Sequence, residues 1–366
     1  MECSVTKENI LEPTMSAEKV TGKNHTLPVL SCILLSVKGD TLTLTATNLE
    51  VGVKYSVQVS DTKDGSVAVS GTVLAHVISS LPSGTKIKLS VDGGHLVVHS
   101  SEGESRLALQ DVEEFPALPQ VSDGTSVTLP VKELRDAITS VVYCASSSTI
   151  KPELSSVFIH PEGATLTTAA TDSFRLAERK IPLKNNTETD PFLVPAKSTT
   201  DLLRVLEAAS GEIELTVSQH QLSLSHNDVY LTLRLVSGTF PDYTQIIPKD
   251  YEAEATILVY DLERALRKAS AFRDQFNQST LTISPKKKKL VLHTQNDTVG
   301  ETTDTIPAAL SGDELTISFN QKYLQDSLHS ISTDSITLQF AGQAQPAVVR
   351  PVGDTSFLYL VMPMNR

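Results

Sequence analysis

Pro28-Val29-Leu30-Ser31 followed by Leu42-Thr43-Leu44-Thr45-Ala46-Thr47 is the stretch on which the fold turns, because it returns 124 positions later. Pro28, Leu30 and Ser31 are answered by Pro152, Leu154 and Ser155. Leu42, Thr43, Ala46 and Thr47 are answered by Leu166, Thr167, Ala170 and Thr171. Between them, Ile33-Leu34-Leu35 becomes Val157-Phe158-Ile159, different residues of the same apolar character. A gapless match of this kind is the signature of a tandem repeat whose copies are supersecondary units.

Working outward, Phe115-Pro116 meets Phe240-Pro241 at an offset of 125. A third copy is fainter. Leu134, Ala137 and Ile138 match Leu262, Ala265 and Leu266 at an offset of 128, and Leu166 matches Leu290 at 124. The expectation is three modules, 1–122, 123–250 and 251–366, with a turn-like junction at Ser122-Asp123-Gly124-Thr125 and a proline-bearing one at Pro248-Lys249-Asp250.

Within each module the hydrophobic period alternates. Helical spacing runs through Val73-Leu74-Val77-Ile78-Leu81, Val131-Leu134-Ile138-Val141-Val142 and Leu202-Leu203-Val205-Leu206. Ser198-Thr199-Thr200-Asp201 is the expected N-terminal cap of one helix, and Asn320 the expected cap of the last. A period of two marks Thr41–Thr45 and Glu212–Val217 as strands with one buried face. Gln221-Leu222-Ser223-Leu224-Ser225 follows after a short polar turn, which is a hairpin signal. The fold class is therefore α+β: two helices packed on antiparallel sheet, in three tandem copies.

The chain has 366 residues, 40% of them apolar, which fits a globular protein of two or three domains. No apolar run approaches the ~20 residues that span a bilayer. Met1-Glu2-Cys3-Ser4-Val5 lacks the basic and apolar regions of a secretory signal. Cys3, Cys32 and Cys144 are odd in number and widely spaced, so neither a disulfide framework nor a metal site is expected, and a cytoplasmic location fits best. No P-loop, GxSxG or HExxH motif is present, so the chain is expected to be neither an enzyme nor a cofactor protein. Asp172 beside Arg175 reads as a structural ion pair, and His95 and His99 flank a strand without an obvious partner.

The net charge of −12 argues against a polyanionic partner only if it is evenly spread. It is not. The six predicted helices, 7–19, 72–81, 131–142, 197–208, 261–273 and 321–331, carry eleven Lys and Arg against ten Asp and Glu, so the acidity lies in strands and loops. A helix layer of this composition can face a polyanion while the outside repels it. Lys286-Lys287-Lys288-Lys289 after Pro285 has two readings, a phosphate-binding tip or a solvated hairpin turn that protects an edge strand; the second is the expectation.

Several stretches in order resemble one family. They are Thr26-Leu27-Pro28-Val29-Leu30-Ser31, Leu42–Glu50, Ala170-Thr171-Asp172-Ser173-Phe174-Arg175-Leu176-Ala177, Gly238-Thr239-Phe240-Pro241-Asp242-Tyr243 and the ending Val361-Met362-Pro363-Met364-Asn365-Arg366. Together they are similar to the bacterial DNA polymerase III β subunits, the replicative sliding clamps, over nearly the whole chain. The resemblance implies a head-to-tail homodimer that closes as a ring around duplex DNA, with helices lining the hole. Lys23, Lys197, Arg204, Arg264, Arg267 and Lys322 are the cations expected there, binding without sequence preference. Arg106-Leu107 is expected to meet Ala271-Phe272 of the other copy.

The resemblance also implies a peptide pocket between the second and third modules. Carried over by position it uses Leu154, Thr171, Ser173, Arg175, Leu176, Pro241, Ile246, Tyr323, Val361, Met362, Pro363 and Met364. Its partners are the polymerase III catalytic subunit, the clamp loader and repair proteins with clamp-binding motifs. On this reading a charged residue at Met362 or Leu176 blocks peptide binding without unfolding the chain. The chain departs from the family in having Ser173-Phe174 where Gly-His is common, and Lys23-Asn24-His25 where an arginine is often presented to DNA. The competing reading is a peptide-binding repeat scaffold that does not encircle DNA. The first module has Asn48-Leu49-Glu50-Val51-Gly52 where the second has Asp172–Leu176, so partner binding is expected in the second copy alone.

Overall fold

The computed structural model of the chain describes residues 1–22, 27–121 and 123–364. Among these, six α-helices follow the apolar spacing closely: α1 Lys7–Val20, α2 Gly71–Ser80, α3 Val131–Val142, α4 Ala196–Ala208, α5 Val259–Ala269 and α6 Gln321–Leu328. Each turns one stripe inward. α1 buries Ile10, Thr14, Ala17 and Val20, and α5 buries Leu262, Ala265, Leu266 and Ala269, all at steps of one, three or four residues. Each leucine or isoleucine so buried contributes roughly 1.5–3 kcal/mol, which outweighs the weak intrinsic helicity of segments this short.

Asn320 caps α6 as expected, its Oδ1 accepting the N–H of Lys322 at 3.0 Å. The expected start of α4, 197, is off by one residue, but its expected cap is wrong. The helix begins at Ala196, directly after Pro195, and Ser198 and Thr199 lie buried inside its first turn. A proline before the first turn ends the preceding strand without a serine cap.

The chain folds as two compact units. The first comprises residues 1–135 and 197–235, the second 136–196 and 236–366. The first unit is built on a 13-stranded antiparallel sheet, in the order 125–130, 212–217, 221–226, 229–234, 51–58, 41–47, 32–38, 65–70, 103–110, 95–100, 86–92, 2–6 and 60–63. The second unit has an 8-stranded sheet, in the order 192–195, 156–171, 175–188, 357–361, 347–351, 335–340, 253–258 and 308–312. Its other sheet has four strands, 300–306, 289–296, 278–284 and 315–320.

Both large sheets cross the expected module boundaries by the same pairing. In the first unit Val51–Tyr55 pairs with Val229–Leu233. In the second, Arg175–Arg179, which stands 124 positions further on, pairs with Phe357–Val361. The middle stretch of the chain therefore gives strands to both units.

Two readings of surface residues are corrected here. The tetralysine turn does not guard an edge: strands 278–284 and 289–296 each have a partner on both sides. His95 and His99 do have partners. His95 Nδ1 lies 3.0 Å from the Gly93 carbonyl, and His99 Nε2 lies 3.2 Å from Ser90 Oγ.

Candidate functional site

Strand 156–171 reverses into strand 175–188 through a turn built by its own side chains. Asp172 Oδ1 accepts the N–H groups of Phe174 at 2.9 Å and Arg175 at 3.0 Å. Thr171 Oγ1 donates to the Arg175 carbonyl at 2.7 Å and accepts the Ser173 N–H at 3.2 Å. This side-chain mimicry of a backbone turn holds Ser173 at φ +77°, in the left-handed region. The first unit repeats the scheme bond for bond. Asn48 Oδ1 accepts from Glu50 and Val51, Thr47 Oγ1 donates to Val51, and Leu49 stands at φ +75°. Asn296 repeats its core, accepting from Thr298 at 3.0 Å and Val299 at 3.2 Å. The three turns at 48, 172 and 296 are spaced by 124 residues. The third copy, faint in sequence, is plain in this turn.

What differs is the residue that ends the turn. Val51 is a core residue, whereas Arg175 projects a guanidinium that serves three elements at once. Its Nε donates to Asp172 Oδ2 at 3.0 Å, Nη1 to Asp326 Oδ2 on α6 at 2.7 Å, and Nη2 to the Tyr143 carbonyl at 2.7 Å. Only the planar five-donor fork of arginine satisfies such a set. The cation lies 4.4 Å from the centre of the Tyr323 ring and 5.6 Å from that of Tyr143. Burial acts to strip its proton, but the Asp326 hydrogen bond and the surrounding negative groups more than reverse this, so the charge is held more firmly than in a free arginine.

Beside the turn lies an apolar cluster of Ala169, Leu176, Leu193, Phe240, Tyr243, Val348, Leu358 and Leu360, with Met362, Ile247 and Phe158 packed on its margin. Phe158 stacks on Phe240 at 5.0 Å, and Tyr243 donates to Glu178 at 2.7 Å, which satisfies the one hydroxyl in the cluster. The tail runs across this surface. Met362 N–H donates to the Phe174 carbonyl and Met364 N–H to the Ser318 carbonyl, each at 2.8 Å.

In the first unit the equivalent turn is closed by its own chain. Leu118 lies so tightly over Gly52 that a Cβ there would meet Leu118 Cδ2 at 2.4 Å. The void left among Thr47, Gly52, Leu118, Thr232 and neighbours is about 20 Å³, room for at most a water.

The expected pocket residues divide by depth. Leu154, Thr171, Leu176 and Val361 are buried, Leu176 and Val361 fully so. Arg175, Tyr323, Met362, Pro363 and Met364 are half-buried, while Ser173, Pro241 and Ile246 are exposed. Sequence reasoning missed three neighbours and noted a fourth, Phe174, only as a departure from the family. Asp326 and Tyr143 anchor Arg175; Phe174, 61% exposed, tips the turn; and exposed Phe276 is tied through its carbonyl to Asn320 at the start of α6. Tyr143 and Asp326 had no local signal, since their partner Arg175 lies far away in sequence. Phe174 had one, a bulky aromatic at the tip of a polar turn.

Of the expected DNA-facing cations, Lys23 lies outside the described residues. Lys197 and Lys322 are exposed. Arg204 is turned onto Asp201 at 2.7 Å, Arg264 onto Asp261 at 3.3 Å and Arg267 onto Glu263 at 2.6 Å, which mutes their charges locally. At the expected interface Arg106 is exposed and paired with Asp92, Leu107 faces the core at 5% exposure, Ala271 is exposed and Phe272 is half-buried. Strand 103–110 meets strand 65–70 only through Leu109 and Gln110, and strand 300–306 ends its sheet, so each unit carries an open strand edge. Among the described residues no His, Cys, Asp or Glu cluster could hold a metal ion, and no helix is long and apolar enough to cross a membrane.

Known proteins carry the same plan. Residues 1–119, 128–242 and 244–365 match the N-terminal, central and C-terminal domains of the DNA polymerase III beta subunit in turn. The Beta sliding clamp of Staphylococcus epidermidis is 26% identical over 375 aligned residues, covering 100% of this chain and 99% of that protein. The Beta sliding clamp of Staphylococcus aureus is 27% identical over the same span and coverage. Among solved structures, the DNA polymerase III subunit beta of Pseudomonas aeruginosa superposes with a TM-score of 0.95 at 26% identity, covering 100% of both chains. That of Thermotoga maritima gives 0.94 at 26% identity, covering 100% of this chain and 99% of the other. With all three domain matches and the fold in agreement, the chain belongs to the DNA polymerase III beta subunit family, the sliding clamps that act as processivity factors in replication.

Proposed function

We propose that two copies of the chain close head to tail around duplex DNA, and that the apolar site beside Arg175 takes short peptide segments of the replicative polymerase. The same site serves the clamp loader and repair proteins in turn. The modules are 1–122, 123–250 and 251–366, and the protein works in the cytoplasm, making and breaking no bond and using no cofactor. Family membership supports the ring, as do the two open strand edges, 103–108 in one unit and 300–306 in the other. Retention on DNA then comes from topology, and the direct affinity for phosphate stays weak and screened by salt.

The observation that carries the peptide site is the repeated turn with its changed ending. One frame occurs in both units, yet only the second has Arg175, the exposed Phe174 and a methionine-bearing tail laid across it. Methionine and leucine walls repack around different peptides while a few polar groups fix orientation. The test is twofold. Light scattering at micromolar concentration is expected to give a dimer, and the loaded protein is expected to stay on circular DNA and leave once the circle is cut. A monomer that leaves circular DNA freely would favour the scaffold reading.

A further inference from the structure

Lys286-Lys287-Lys288-Lys289 caps the turn between strands 278–284 and 289–296, and the fold itself gives no reason for it. Pro285 opens a single 3-10 turn, after which Lys288 adopts φ +52° and ψ +43°. A lysine in that left-handed conformation is less stable than glycine by about 1 kcal/mol, so the turn geometry does not select it. Edge protection does not explain the charges either, because both strands are interior to the sheet. All four lysines are exposed. Lys287 has a carboxylate 3.6 Å away in Glu314, which is itself held by Ser284 Oγ at 2.7 Å. Among the described residues no ion pair reaches Lys286, Lys288 or Lys289. Four adjacent cations thus stand out of a chain whose net charge is −12.

We infer that this tip is a second contact for duplex DNA, acting on the phosphate backbone and separate from the helix-borne cations Arg264, Arg267 and Lys322. Ammonium groups are compact, hydrated point charges that suit phosphates in any sequence. Residues 285–289 include no aromatic side chain on which an unpaired base could stack, which favours duplex over single strand. They include no arginine fork for bidentate capture of carboxylates, which disfavours an acidic peptide. Where Arg264 and Arg267 are turned onto neighbouring carboxylates, three of these four lysines are not. The inference rests on the clamp reading in one respect: DNA held by the ring presents its phosphates at high local concentration, so a weak contact is enough.

The experiment measures binding of the full-length protein to a fluorescent linear duplex of about 30 base pairs by anisotropy, between 50 and 200 mM salt. The variants are K286Q/K287Q/K288Q/K289Q and the corresponding four-arginine chain. The glutamine variant is expected to bind on the order of tenfold more weakly at the lower salt, with a salt slope smaller by about 2–3, each lost phosphate contact removing about 0.9. The arginine variant is expected to match the wild type, and thermal melting of all three to coincide. Equal slopes for the glutamine variant and wild type would overturn the inference. So would a tip that binds oligoglutamate while leaving the DNA slope unchanged. Retention on circular DNA is scored separately: wild type lost from circles removes the clamp reading, while the slope comparison on linear duplex still decides the role of the tip.

Discussion

Arg175 and Asp326 are 151 positions apart in sequence and 2.7 Å apart in the fold, Nη1 to Oδ2, with side chains 11% and 25% exposed. The pair ties the turn at Asp172 to α6 and so holds Tyr323 against the guanidinium face. Replacing Asp326 with Ala leaves Arg175 its bonds to Asp172 and Tyr143, and is expected to cost about 1–3 kcal/mol in urea unfolding. Arg175→Lys cannot reach all three acceptors and is expected to cost at least as much, with peptide affinity falling in both variants. A change within about 0.5 kcal/mol, the scatter of ordinary surface substitutions, would show that the pair holds nothing.

Met362 and Leu176 are not equivalent probes of the site. Leu176 is fully covered, so the expectation that a charge there spares the fold is corrected: it would be a buried charge, and Leu176→Lys is expected to unfold the chain. Met362 is half-buried, and its main chain is already fixed to Phe174. Met362→Lys is expected to melt within a few degrees of wild type and to lose at least tenfold in affinity for an apolar clamp-binding peptide by calorimetry. Wild-type affinity in that variant would move the site elsewhere.

Phe272 lies against Gly300, at the start of the open edge strand 300–306. An aspartate at this position adds a charge to a surface that the ring reading buries between copies. Phe272→Asp is expected to raise the dimer dissociation constant by tenfold or more in sedimentation, about 1.4 kcal/mol, without changing the circular dichroism of the monomer.

All three cysteines are free and buried. Burial pushes the Cys3 thiol up to about 11 and Cys144 further still. The thiolate is the reactive form, so at pH 8 the folded chain is expected to alkylate on the order of 100-fold more slowly than the denatured one, read by mass spectrometry. The sign for stability follows. A raised folded pKa favours the protonated form, so this contribution is complete below the unfolded thiol pKa near 9 and is lost as pH rises through about 11. Alkaline titration is therefore expected to lower the melting temperature in that window.

The helices were legible because each needs only its own stripe of apolar residues to be recognised, as with Leu262, Ala265 and Leu266 in α5. The strand pairings that join Val51–Tyr55 to Val229–Leu233 were not, since period-two alternation states which face is buried and not which strand lies alongside. The same limit misplaced the role of the lysine turn, an edge being a property of neighbours. For the site, Asp172 and Arg175 stood out as a pair, but the anchors Tyr143 and Asp326 come from a loop and a helix that only the fold brings together. The other expected pocket residues rest on resemblance, because Leu176 or Val361 alone reads as any strand residue.

The strands that the middle stretch lends to both large sheets have a consequence for how the protein can be taken apart. A fragment cut at 128 and 242 keeps the sequence of one family domain but strips Val51–Tyr55 and Phe357–Val361 of the partner on one side. Such a piece would expose sticky edges on both sides, and its removal would leave the same on what remains. Family domains and compact units are thus offset, and hydrogen exchange is expected to group residues 197–235 with the chain start and 136–196 with its end.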